Sequence, residues 1–91
     1  YLATRELHRH HGLYMGGTSG ATYLVARYYA TLYPQARIAC LFADDGVRYQ
    51  HTVYHDAYLR QLPNWRDRLP DAPTMLACPT KVTDRWSCYS W

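Results

Sequence analysis

The unbroken apolar run Ile38-Ala39-Cys40-Leu41-Phe42 constrains this chain more than any other feature. A strand with one wet face alternates apolar and polar residues, whereas an uninterrupted run marks a strand buried on both faces, as parallel sheets require. Just upstream, Ala21, Leu24, Val25, Tyr28 and Leu32 recur at helical spacing from Ser19 onward. Pro34 ends that helix, because proline lacks the amide hydrogen and clashes with the preceding turn. Helix followed by buried strand is half of a βαβ unit, so the expected class is α/β. Asp44-Asp45-Gly46 then makes the turn at the carboxyl end of the strand, where open α/β sheets place their ligands.

The flanking segments are less regular. Leu2, Leu7 and His11 among Arg5, Glu6 and Arg9 suit a helix from Tyr1 to His11 stopped by Gly12. Gly12 to Gly17 reads as a short extended segment and a glycine turn. Tyr58, Leu59 and Leu62 suggest a short helix that gives way at Pro63. The remaining tail is punctuated by Pro70, Pro73 and Pro79 and shows no periodicity, yet holds Trp65, Met75, Leu76, Trp86, Tyr89 and Trp91. That much apolar surface is expected to lie against something. Two regions follow: residues 1–62, an α/β unit, and residues 63–91, an irregular aromatic tail.

With 91 residues, the chain is at the low end for an enzyme with a buried cofactor pocket. Its first residue is Tyr1, already inside the first expected helix, so the sequence reads as a fragment or a processed chain. A composition of 48% hydrophobic and 19% charged residues is that of a globular chain. The net charge of +3 is carried by scattered arginines that form no stripe, which argues against nucleic acid and suits a small anionic ligand. Cys40, Cys78 and Cys88 form no CxxC pair and leave an odd number, indicating neither a zinc knuckle nor a disulfide framework. No apolar stretch approaches the roughly 20 residues needed to cross a bilayer, and no signal segment opens the chain. The expectation is a cytoplasmic protein in a reducing compartment, with no membrane association.

The residues richest in chemistry are Gly16-Gly17-Thr18-Ser19-Gly20-Ala21, which run directly into the amphipathic helix. Small residues and free amides at a helix N-terminus let flat or anionic ligands approach the backbone. Taken alone, the hexapeptide reads first as a helix start, with Thr18 or Ser19 as the cap. Its sequel adds information: helix, apolar strand, then Asp44-Asp45-Gly46-Val47-Arg48-Tyr49 and Thr52.

This order resembles the C-terminal part of the cysteine synthase and cystathionine β-synthase family, fold type II of the enzymes that use pyridoxal 5'-phosphate (PLP). There a Gly-x-Ser-x-Gly turn opens a helix, a hydrophobic strand follows, and a Pro-Asp-x-Gly-x-Arg-Tyr-like segment comes next. The resemblance spans Leu2 to Leu62. Ala43 stands where the family has proline and Val47 where glutamate is common, while Gly46, Arg48, Tyr49 and Thr52 agree; Asp44 and Asp45 read as surface turn acids. The resemblance implies a three-layer α/β/α domain in which residues 1–62 are the C-terminal part of the PLP-binding unit and the tail packs on the rest of the enzyme. It implies that Thr18 hydrogen-bonds the pyridine nitrogen, that Gly16, Gly17 and Gly20 allow close approach to the ring, and that Ser19 supports the site from just behind it. A hydroxyl does not force that nitrogen to stay protonated, and the milder electron sink favours loss of a β-substituent. The implied reaction is β-replacement on an activated serine by a small nucleophile, in a homodimeric enzyme with an amino-acid substrate. The family's Schiff-base lysine and phosphate loop lie upstream of this turn. Lys81, the only lysine, lies in the tail outside any such context, so no catalytic residue is assigned in this chain and the missing N-terminal part of the same enzyme is its implied partner.

Two other readings compete with this one. His8, His10 and His11, and again His51 and His55, invite a metal, but no third ligand has a recognisable spacing and none is assigned. The alternative from another class is a noncatalytic protein-interaction module whose aromatic tail docks on a partner.

Overall fold

A computed structural model describes residues 1–82 and 86–89. Helix α1 (Leu2–His11) ends at Gly12, which adopts the left-handed conformation (φ 69°) and donates its N–H to the His8 carbonyl at 2.8 Å. Helix α2 (Gly17–Leu32) starts two residues earlier than Ser19 and stops before Pro34. Neither Thr18 nor Ser19 caps it. The N-cap is Gly16, without a side-chain hydrogen bond, because the Ser19 hydroxyl is engaged elsewhere. A 3-10 turn at Gly46–Tyr49 is capped by Asp45, whose carboxylate accepts from the Val47 N–H at 2.8 Å. Helix α3 (Asp56–Arg60) is capped by His55, whose Nδ1 accepts from the Tyr58 N–H at 3.2 Å.

The two long helices cross at a point where a side chain is missing. A Cβ on Gly20 would lie 2.2 Å from Thr4 Oγ1 and 2.9 Å from Thr4 Cα, so only glycine admits α1 this close. Thr4, fully buried, donates its hydroxyl to the Gly17 carbonyl at 2.9 Å and so is satisfied inside the crossing. Around it are the buried apolar residues Ala3, Leu7, Val53 and Leu59. At the rim, Arg5 pairs with Asp56 and donates to the Val53 carbonyl, while Arg27 of α2 pairs with Glu6 of α1 at 3.0 Å. These rim pairs are partly or largely in water and contribute little each. The core itself holds the helices.

The α/β class holds, but the sheet is not where the sequence placed it. Ile38 to Phe42 joins no hydrogen-bonded element and is largely exposed, with Ile38 at 41% and Leu41 at 84% of full exposure. A strand exists only through hydrogen bonds to a neighbour, and no other described segment pairs with this one. The sheet lies instead in the tail expected to be irregular. Strand β1 (Thr74–Leu76) pairs in parallel with β2 (Ser87–Tyr89), in the register Thr74↔Ser87, Met75↔Cys88 and Leu76↔Tyr89. Three-residue strands are too short to print a period on the sequence. The tail does find a surface within the chain: the Trp86 ring meets Tyr28 of α2 edge-on, with centroids 5.6 Å apart. Trp91 lies outside the described residues. Among the described residues no helix is long and apolar enough to cross a membrane.

The helix crossing generates a direct prediction. Gly20→Ala forces Thr4 or the whole of α1 to move and is expected to destabilise the fold by about 1–3 kcal/mol, the usual cost of overpacking. Urea denaturation followed by helical circular dichroism measures it; unchanged stability would mean that the helices do not meet at Gly20.

Candidate functional site

The two motifs, some two dozen residues apart in sequence, are bonded to each other. The Gly16 N–H is shared between the Ala43 carbonyl at 3.3 Å and the Asp44 carbonyl at 3.1 Å. Ser19, only 1% exposed, donates its hydroxyl to the same Ala43 carbonyl at 2.9 Å. Met15 and Asp45 form an isolated antiparallel bridge, and the Gly46 N–H donates to the Tyr14 carbonyl at 3.0 Å. The glycine turn and the Asp-Asp-Gly turn are therefore one structural unit, closed chiefly by backbone groups.

Within this unit the expected site residues part ways. Thr18 sits in the first turn of α2, exposed, and its hydroxyl has no partner among the described residues. Ser19 points the other way and is committed to Ala43, which suits the supporting role and not direct contact with a ligand. Gly16 is buried because its own chain needs the space: a Cβ there would lie 2.8 Å from Asp44 Cβ and 2.9 Å from the Tyr49 ring. At Gly17 the Tyr1 ring takes the neighbouring position, 3.1 Å from where a Cβ would be, and at Gly20 Thr4 does so. The glycines thus make room for protein at least as much as for any ligand. Of the named positions, Thr18 alone presents a free side-chain donor.

Asp44 is held in the left-handed region (φ 63°), unusual for a residue with a side chain. Its carboxylate accepts the Tyr49 hydroxyl at 2.9 Å. That hydrogen bond, reinforced by the carboxylate charge, raises the Tyr49 phenol above the ordinary tyrosine value. Asp44 and Asp45 are thereby both spoken for locally, as turn acids.

Sequence reasoning did not find Tyr54. Its hydroxyl donates to the Met15 carbonyl at 2.6 Å and lies 3.2 Å from the Met15 N–H, which donates back to it. The ring stacks at a tilt against Tyr14, centroids 4.5 Å apart. Burial raises the Tyr54 phenol, only partly countered by the bond to Met15. This side chain clamps the backbone just before the glycine turn, and no local pattern signals a contact made across 39 residues.

A cavity of about 590 Å³ reaches Gly17 and Gly20 from the other side, bounded by Trp65, Arg66, Arg68 and Trp86 of the tail. Lys81 does not line it; this residue is exposed at the end of a 3-10 turn, Pro79–Lys81. Next to it, hydrogen bonding with Thr80 lowers the Cys78 thiol below the usual cysteine range. Among the described residues no group of three or more His, Cys, Asp or Glu is placed to hold a metal ion. Compared with known protein families, with curated proteins and with solved structures, the chain gives no match.

Two measurements check this geometry. Ser19→Ala is expected to cost about 1 kcal/mol of stability, the net worth of one hydrogen bond, whereas Thr18→Val should stay within about 0.5 kcal/mol of the parent, as surface substitutions do. Equal effects would mean that the two hydroxyls are not divided as described. In alkaline titration, Tyr49 and Tyr54 should deprotonate above the ordinary tyrosine value. Since their neutral forms are favoured in the fold, the stability they contribute is complete below the unfolded tyrosine value of about 10 and is lost as pH rises through their raised values. Ultraviolet titration of Tyr54→Phe should lack one of the late-ionising phenols.

Proposed function

We propose that this chain is the C-terminal part of the cofactor domain of a PLP-dependent enzyme of fold type II, acting in β-replacement on an activated serine. The observation that carries the reading is the union of its two motifs: the glycine turn and the Asp44–Tyr49 segment are hydrogen-bonded to each other, and Thr18, between Gly16 and Ser19 in the chain, is exposed on the first turn of α2. A flat ring carrying an acceptor nitrogen suits a lone hydroxyl on the first turn of a helix, where the backbone amides also favour electron-rich ligands.

In this reading Thr18 orients the pyridine ring through one neutral hydrogen bond. Ser19 and Gly16 hold Ala43, and with it the second turn, at a fixed distance from α2. Tyr54 fixes the chain entering the glycine turn. PLP, when bound, supplies the electron sink for loss of a β-substituent. The chain's own contribution is positional, since neither a lysine nor a phosphate loop stands near Thr18 in the motif; both belong to a completing polypeptide. A single neutral hydrogen bond contributes only about 0.5–1.5 kcal/mol net, so this chain by itself should bind the cofactor poorly.

The exposed apolar face of α2 and residues 38–42 favours a second reading, a noncatalytic interaction module. The two part on one preparation. Mixed with a lysine-bearing N-terminal part of a cysteine synthase-type enzyme, the chain should restore PLP binding and turnover of O-acetylserine. Thr18→Val should then reduce turnover about tenfold, the effect of roughly one hydrogen bond, while Thr18→Ser should be nearly silent. Borohydride trapping of the cofactor on Lys81 of the isolated chain would place the active site elsewhere, and a mixture that binds no PLP would leave the module reading.

A further inference from the structure

The cavity of about 590 Å³ against the first turns of α1 and α2 is walled by two indoles from separate segments of the tail, Trp65 and Trp86, with Leu24 and Leu69 beside them. Both indoles are held by bonds of their own residues. The Trp65 backbone N–H donates to the Leu62 carbonyl at 3.1 Å, and its indole Nε1–H donates to Asp67 at 3.1 Å. The Trp86 carbonyl accepts from the Thr74 N–H at 2.9 Å, and its ring rests edge-on against Tyr28. A wall fixed in this way is formed before any ligand arrives. The volume also lies within the roughly 300–1,000 Å³ of small-molecule sites.

Charge selects the occupant. Among the described residues the charged side chains lining this cavity are Arg66 and Arg68, and no acid joins them. Asp67, which lies between them in the chain, is drawn off by the Trp65 indole and lines a neighbouring cavity instead, which it shares with Asp56, Arg5, Arg9 and Arg60. Arg66 and Arg68 are exposed, and among the described residues neither pairs with an acid or lies over an aromatic ring. A ligand can therefore engage them without breaking an existing pair. A guanidinium presents forked, planar donors that match the oxygens of a carboxylate or phosphate, and indoles take flat rings by offset or edge-on stacking. An aromatic ring that bears an oxyanion meets both requirements. An aliphatic anion or a neutral ring meets only one.

We infer that this cavity is a binding site for a planar aromatic anion, its ring held by Trp65 and Trp86 and its oxyanion by Arg66 and Arg68. The site is separate from the one built around Thr18, which does not line the cavity. The inference uses neither PLP nor a completing polypeptide.

The test is calorimetric titration of the full chain with 2-naphthoate and 1-naphthyl phosphate, which differ in the oxyanion, and with 2-naphthalenemethanol, which has the ring and no charge. The expected result is one equivalent of at least one of the two anions bound with a dissociation constant below about 1 mM. That affinity should exceed the alcohol's by about tenfold or more and should fall as salt is added, because the arginines are in water. Nuclear magnetic resonance locates the ligand: the indole N–H signals of Trp65 and Trp86, assigned with Trp65→Phe and Trp86→Phe, should both shift. Arg66→Gln combined with Arg68→Gln, at exposed positions the fold tolerates, should weaken binding about tenfold or more; unchanged helical circular dichroism confirms that the variant folds. Val25→Asp, which places a negative charge in the groove between α2 and residues 38–42, should leave the affinity unchanged. Equal affinity for the alcohol, an affinity indifferent to the paired arginine changes, or one lowered by Val25→Asp would each overturn the inference. So would indole signals that neither anion moves.

Discussion

The close approach of Thr4 to Gly20 is the contact on which the rest of this structure depends. It lets α1 lie directly on α2, which aligns Leu7 with the other buried residues and brings Tyr1 over Gly17. Among the described residues four buried apolar side chains make a small core, and each large one is worth about 1.5–3 kcal/mol. A core of that size tolerates no spare separation between the helices. A glycine here does the work that a larger protein would assign to more side chains: by removing volume, it lets the few apolar groups present reach one another. Thr4 completes the arrangement because its hydroxyl, buried by the same approach, finds the Gly17 carbonyl and is left with no unmet polar cost.

From that crossing the candidate site is built outward. With the first turn of α2 fixed, Gly16 and Ser19 together capture Ala43, and the second motif is drawn onto the first. Tyr54 does the same for Met15 on the entering strand of chain. The side chains nearest Thr18 in sequence are consumed by these bonds, and the division of labour is physical: buried hydroxyls and amides must be satisfied, so the residues that organise the turn are the ones turned inward. Thr18 is free because the helix start turns it outward.

The other side of α2 is organised by absence. Apolar residues on the helix and on 38–42 face each other across an open groove, and among the described residues the segment's backbone has no ladder to join. In the proposed reading a completing polypeptide supplies neighbouring strands in an α/β sheet, where unpaired amides and exposed apolar side chains are satisfied together when a strand is added.

Much of the local structure was legible in the residues. Gly12 stops α1 because glycine enters the left-handed region without penalty, Pro34 bounds α2, and the Asp44-Asp45-Gly46 turn is present where its composition puts it. The two motifs and their order were equally visible. What sequence alone misplaced was everything that requires a partner. The apolar run 38–42 carries the pattern of a buried strand, yet burial and strand pairing are relations between segments, and this segment has no described neighbour. The short parallel pair Thr74–Leu76 and Ser87–Tyr89 has a neighbour but too few residues to show a period. The glycines, too, were readable as empty space but not as to what fills it; Thr4, Tyr1, Asp44 and Tyr49 do so only once the chain has folded. Sequence determined where this backbone can bend and which residues seek burial. Tertiary structure decided which groups meet, because contacts between distant residues depend on helix packing that no local pattern encodes.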